Sequence, residues 1–128
     1  MKLINKAAIA VTVGLMATAA QSAQDLPVTV YFEGQCPVGV QPETVDVSKP
    51  AGDKVTWTAY DAATGQPAGI VYEVFFDPFK GKSIVSGTDG VAQSKKVADD
   101  VPINVEFKYT IYSPTCPEAP LDPRIMIR

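Results

Sequence analysis

An all-β fold, a single antiparallel β-sandwich or small barrel of seven to eight short strands, is the class the sequence predicts. Three observations predict it. Beyond the first two dozen residues, apolar side chains alternate with period two, the mark of half-buried strands. Eleven prolines and nine glycines punctuate the chain, and neither residue suits the interior of a long helix. No 11-residue window after residue 23 has apolar residues at helical spacing.

The first element is not part of that fold. Lys2 and Lys6 precede an apolar run from Ala7 to Ala20, interrupted by Thr12, Gly14 and Thr18. Small residues follow, up to Ser22-Ala23. This is the layout of a cleaved secretory signal, residues 1–23. A membrane-spanning helix needs roughly 20 apolar residues, more than this run offers. Ala19, Ala20 and Ala23 each suit a cut, although Gln21 is a poor residue two positions before Ala23. The expected mature domain is residues 24–128, in the periplasm or outside the cell, with no membrane span after cleavage.

The strands follow in order. Val28, Val30 and Phe32 alternate with Thr29, Tyr31 and Glu33. Val45 and Val47 bracket Asp46. After the turn residues Pro50-Ala51-Gly52-Asp53, Val55, Trp57 and Ala59 alternate with Thr56, Thr58 and Tyr60. Ala63-Thr64-Gly65-Gln66-Pro67 ends that strand. Ile70 to Phe76 is a nearly continuous β-branched and aromatic run, suited to a central strand, and Asp77-Pro78 and Gly81 follow it. Thr88-Asp89-Gly90 has the chemistry of a hairpin turn between Ser83–Val85 and Val91–Lys95. Asp99-Asp100-Val101-Pro102 leads into the most regular strand, with Val105, Phe107, Tyr109 and Ile111 inward. Ile125 to Ile127 closes the fold. Trp57 is expected to fill the core between sheets; the alternative is an exposed, ligand-stacking tryptophan.

Cys36 and Cys116 are the only cysteines. An even pair in an oxidising compartment predicts a disulfide, here joining the early and late parts of the domain. A redox pair usually has close spacing, as in C-x-x-C, which these lack.

The segment Phe107-Lys108-Tyr109-Thr110-Ile111, with Pro120-Leu121-Asp122-Pro123-Arg124-Ile125-Met126-Ile127, resembles the ending of small exported bacterial proteins with a cupredoxin-like or immunoglobulin-like sandwich. The upstream Val55-Thr56-Trp57 strand extends the resemblance over Val55–Arg128. Trp57 is not flanked by cysteines on suitable strands, a departure from the immunoglobulin pattern proper. Those proteins mostly lack an assigned activity, so the resemblance implies a fold and no reaction.

Composition excludes several function classes. The signal holds two of the eleven basic residues and none of the fourteen acidic ones, so the mature chain carries a net charge of −5. That argues against nucleic acid and anionic lipid as partners. There is no histidine, which removes Ser-His-Asp and Cys-His catalysis and a blue-copper centre. A soft Cu(I) site from Cys36, Cys116 and Met126 remains as a second reading, and a carboxylate-only enzyme as a third. No catalytic, cofactor-binding or metal residue is assigned, and no cofactor is expected. Asp99-Asp100 lack a calcium-loop pattern; Glu73 faces either core or solvent; Ser83, Ser86 and Ser113 lack a nucleophile motif. Lys95-Lys96 and Lys80-Gly81-Lys82 read as solvated basic spots.

The remaining signal is aromatic. Tyr31, Tyr60, Tyr72, Phe75, Phe79 and Tyr112 include several residues opposite the presumed core. Either one sheet face carries an exposed aromatic patch that signals a partner surface, or loops cover both sheets. The expected function is a non-catalytic binding or assembly module whose partner is an envelope or extracellular protein, a glycan or another copy of the chain.

Overall fold

The structure, a computed structural model, describes residues 22–75 and 83–128. The expected signal falls almost wholly outside the described residues, as do Phe76, the Asp77-Pro78 turn, Phe79 and Lys80-Gly81-Lys82. Every regular element among the described residues is a strand: β1 (Asp25–Glu33), β2 (Cys36–Gln41), β3 (Thr44–Val47), β4 (Lys54–Asp61), β5 (Glu73–Phe75), β6 (Ser83–Val85), β7 (Val91–Gln93), β8 (Val105–Lys108), β9 (Thr110–Tyr112) and β10 (Arg124–Ile127).

They form three open sheets, ordered β2-β1-β4-β7, β3-β10-β8 and β6-β5-β9. The second and third meet in one stretch of chain, because only Tyr109 separates β8 from β9. There the backbone N–H of Tyr109 bonds to the Pro123 carbonyl and that of Ile111 to the Leu121 carbonyl. Side chains alternate without a break through it. Tyr109 and Ile111 are buried, and Glu106 and Lys108 are exposed.

The expectation of purely antiparallel sheets is corrected. β1 runs parallel to β4, with Val28 opposite Trp57, and β3 runs parallel to β10, with Val45 opposite Ile125. The cause lies at Pro42-Glu43, after the cis Gln41–Pro42 bond. Here the chain leaves the first sheet as β2 and enters the second as β3 within two residues. β4 then returns to the first sheet on the other side of β1, pointing the same way. Among the described residues there are ten strands, against an expected seven to eight. Pro37 and Gly39 hide β2 by breaking its alternation. Proline is tolerated there because β2 is an edge strand. Val38 is the extra residue of a bulge opposite Tyr31 and Phe32.

Two further expectations fail in pairing rather than in local chemistry. The turn at Gly87–Gly90 forms, with the Gly90 N–H on the Gly87 carbonyl and the Val91 N–H on the Asp89 carboxylate. Yet it joins β6 of the third sheet to β7 of the first, so it is a crossover and not a hairpin. Ile70–Phe76 is expected as one strand, but regular pairing begins only at Glu73. Upstream, Ser86 takes the place of a ladder. Its Oγ accepts from the Tyr72 N–H and its own N–H donates to the Tyr72 carbonyl. Ser94 does the same for Val55, through its Oγ and its backbone N–H. Both serines are buried, where an unpaired backbone group would be costly.

One apolar core collects residues from all three sheets, including Val28, Val30, Phe32, Val47, Val55, Trp57, Val74, Ile111, Ile125 and Ile127. Trp57 is 0% exposed, which closes the ligand-stacking alternative. Its Nε1–H donates to the Tyr109 hydroxyl at 3.2 Å, and the rings meet edge to face with centroids 5.6 Å apart. Phe32 and Tyr72 pair in a tilted arrangement, centroids 5.5 Å apart and planes inclined by 47°. The Tyr72 hydroxyl donates to the Gly90 carbonyl, which also receives the Ala59 N–H.

Two predictions arise from this core. Gly90 has φ +79°, and a Cβ there would collide with the Ala68 carbonyl oxygen and lie 3.0 Å from the Ala59 methyl. Gly90→Ala should therefore lose about 2–4 kcal/mol in denaturant unfolding, from left-handed strain plus overpacking. The second concerns alkali. Burial pushes the Tyr109 phenol up to about 12, the bond from Trp57 offsetting part of the rise. Burial also pushes Tyr72 well above the ordinary phenol range, aided by the charge of Asp89. Both groups hold their protons more tightly when folded. Their contribution is thus intact below about pH 10 and falls as pH climbs through the raised values, by up to about 1.4 kcal/mol per pH unit per group. Phenolate absorbance should show these two tyrosines ionising together with unfolding.

Candidate functional site

The expected aromatic patch divides into two faces. Tyr72 is in the core, contrary to its place among the outward aromatics, because Val71 and Glu73 take the outer positions instead. Phe79 lies outside the described residues. Tyr31 and Tyr60 sit opposite each other on adjacent β1 and β4, half-buried on the outer face of the first sheet. Phe75 and Tyr112 lie on the outer face of the third sheet.

That third face is the more exposed. β9, β5 and β6 lie side by side, and strand alternation sends Val74, Ile84 and Ile111 inward. Glu73, Phe75, Val85, Ser83, Thr110 and Tyr112 are left on the outside. Phe75 is 40% and Val85 59% exposed. The Phe75 and Tyr112 rings meet edge to face, centroids 6.2 Å apart and planes inclined by 66°. Glu73 stands in register with both Val85 and Tyr112 and is half-buried on this outer side, which settles which way it faces. Val85 carries no chemical motif, so sequence reasoning passed over it. The alternation in Ser83-Ile84-Val85 was the available signal.

The other candidates do not converge on chemistry. Cys36 and Cys116 are joined in a disulfide, with Cα atoms 5.2 Å apart. It ties the start of β2 to the loop after β9. Beside it the Ser113 and Thr115 hydroxyls lie 3.1 Å apart, and Thr115 donates to the Gln35 side-chain oxygen. Met126 lies on β10 opposite Asp46 and Glu106, away from that loop. Asp99 and Asp100 are exposed in a turn. Among the described residues, no three Cys, Asp or Glu side chains are grouped to hold a metal ion. An open cleft of about 500 Å³ lies between Pro50, Lys96 and Ile103. The Lys49 ammonium at its wall is held by the carbonyls of Asp99 and Val101, at 2.6 and 2.7 Å.

No helix among the described residues is long and apolar enough to cross a membrane. The chain matches no known family pattern and no curated protein.

Proposed function

We propose that this is an exported, non-catalytic β-sandwich of the periplasm or cell exterior that works by binding a protein through the outer face of β5, β6 and β9. The observation that carries this reading is one sheet face that bears the exposed Phe75 against the half-buried Tyr112, with the exposed Val85 on the far side of Glu73. Large apolar side chains rarely group on a surface without a partner. The two rings are inclined to each other, so they offer no flat platform for a sugar. A knobbed aromatic and aliphatic surface with one carboxylate suits a protein with apolar side chains and a basic group to meet Glu73. A glycan and a second copy of the chain are the alternative occupants.

The mixed strand pairing supports a sandwich of cupredoxin-like rather than immunoglobulin-like type, since the latter is built of antiparallel sheets. The disulfide supports an oxidising compartment. It also engages the two sulfurs that the Cu(I) reading would need as thiolates.

The test is capture from envelope extract by the exported protein, compared with Val85→Glu and Phe75→Ser. Both variants should keep the melting temperature within a few degrees and lose the captured protein. Capture of the same protein at undiminished yield by both variants sinks this surface. Retention of a glycan, or sedimentation as a dimer that Val85→Glu dissociates, would replace the proposed occupant.

A further inference from the structure

Asp53 is an acidic side chain that the binding surface does not use, and it is 6% exposed. Its Oδ1 accepts the backbone N–H of Gln24 at 3.0 Å, and its Oδ2 accepts that of Ser48 at 3.0 Å. The Asp53 N–H returns to the Ser48 carbonyl, and the Lys54 N–H bonds to the Gln24 carbonyl. Gln24 is therefore the residue at which the chain is clamped to the fold, one position before β1 begins. Ser22 and Ala23, just before it, are exposed.

The two amides satisfy one lone pair on each oxygen and leave the carboxylate without a cation among the described residues. Both oxygens accept, so an asparagine could serve only one of the two N–H groups. A buried carboxylate normally meets a cation. Among the described residues the ion pairs are Arg124–Glu106 and Arg128–Asp46, neither of which reaches Asp53. A cavity of about 270 Å³ lies beside this carboxylate, lined by Ser22, Gln24, Ser48, Ala51 and Asp53.

We propose that Asp53 is the receptor for the α-ammonium created at Gln24 when the leader is cut after Ala23. This rests on the reading of Met1–Ala23 as a cleaved signal, with the cut after Ala23 and not after Ala19 or Ala20. The amide N–H at 3.0 Å becomes one of three N–H groups of a cation, turning a neutral bond into a charge-assisted one. The other two N–H groups take up the space vacated by Ala23 and the adjoining cavity. Removal of the leader thus completes the fold's first contact. Protonation also keeps the amine from attacking its own side-chain amide, the step that forms a C–N bond, expels ammonia and leaves pyroglutamate.

The sign of the pH dependence follows. A carboxylate partner raises the folded amine above its ordinary value of about 7.7–8.0. The stabilisation is then fully present below about pH 7.7 and disappears as pH rises through the raised value.

The experiment is export of the full chain from its own leader, followed by intact mass, N-terminal sequencing and titration of the α-amine by its labelling rate. The expected product begins at Gln24 with a free amine titrating at least about one unit above the ordinary value. Asp53→Asn should restore the ordinary value. If that variant does not accumulate, the wild-type titration decides alone. A product that keeps the leader or begins elsewhere overturns the cut at Ala23 and the proposal with it. A product beginning at Gln24 with an ordinary amine, or at pyroglutamate, overturns the receptor while the leader reading stands.

Discussion

Replacing Cys36 and Cys116 by serine should lower unfolding stability by about 4.5 kcal/mol, the chain-entropy value for the closed loop. The two residues are 80 positions apart, so the bond removes a large share of the freedom of the unfolded chain. The folded side is already arranged without it: Gln35 and Thr115 are bonded across the same junction. The double variant should therefore still fold, with a midpoint lower by at least about 15 °C at this domain size. Differential scanning calorimetry of the protein, with and without reductant, checks both halves. An unchanged midpoint on reduction would mean that the unfolded chain gains nothing from release of the bond.

Trp57→Ala carries the second large effect, a loss of about 3–5 kcal/mol. It leaves a cavity where β4 faces Tyr109 and removes the donor to the Tyr109 hydroxyl. Trp57→Phe separates the two terms. It fills most of the volume but strands the buried hydroxyl, at about 1–3 kcal/mol. Double variants with Tyr109→Phe measure the coupling. A coupling near zero would assign the effect to volume alone. Urea titrations at neutral pH give all three values.

Much of the fold was legible because half-buried strands write their own pattern. Val28-Val30-Phe32, Val55-Trp57-Ala59 and Val105 through Ile111 alternate in sequence and in burial alike. Direction and partnership were less legible. A period of two says which face a residue occupies, not which strand lies beside it. Nothing in Gln41-Pro42-Glu43 says that the chain changes sheets there, and that change is what makes β1 and β4 parallel. Thr88-Asp89-Gly90 has the same local chemistry in a hairpin and in a crossover. Two buried serines, Ser86 and Ser94, act as backbone substitutes, a role that only their neighbours in space reveal.

The candidate surface was half visible. Phe75 and Tyr112 stood out as aromatics, and the structure places their rings together. Tyr72 was grouped with them because a continuous apolar run has no alternation to mark its inward positions. Val85 escaped notice, since one outward valine on a three-residue strand resembles any other. Asp53 looked like turn chemistry beside Gly52, and its bond to Gln24 spans 29 positions.

The strand running through Tyr109 has one more consequence. It borders β10 on one side over its first half and β5 over its second, while Tyr109 itself reaches Trp57 of the first sheet. Two sheets whose strands β8 and β9 are joined through a single residue are coupled in melting. Freeing either one breaks the backbone on which the other is built, and takes the tryptophan's hydroxyl partner with it. The second and third sheets are thereby coupled in opening, and a protease meets few states in which one of them is open alone.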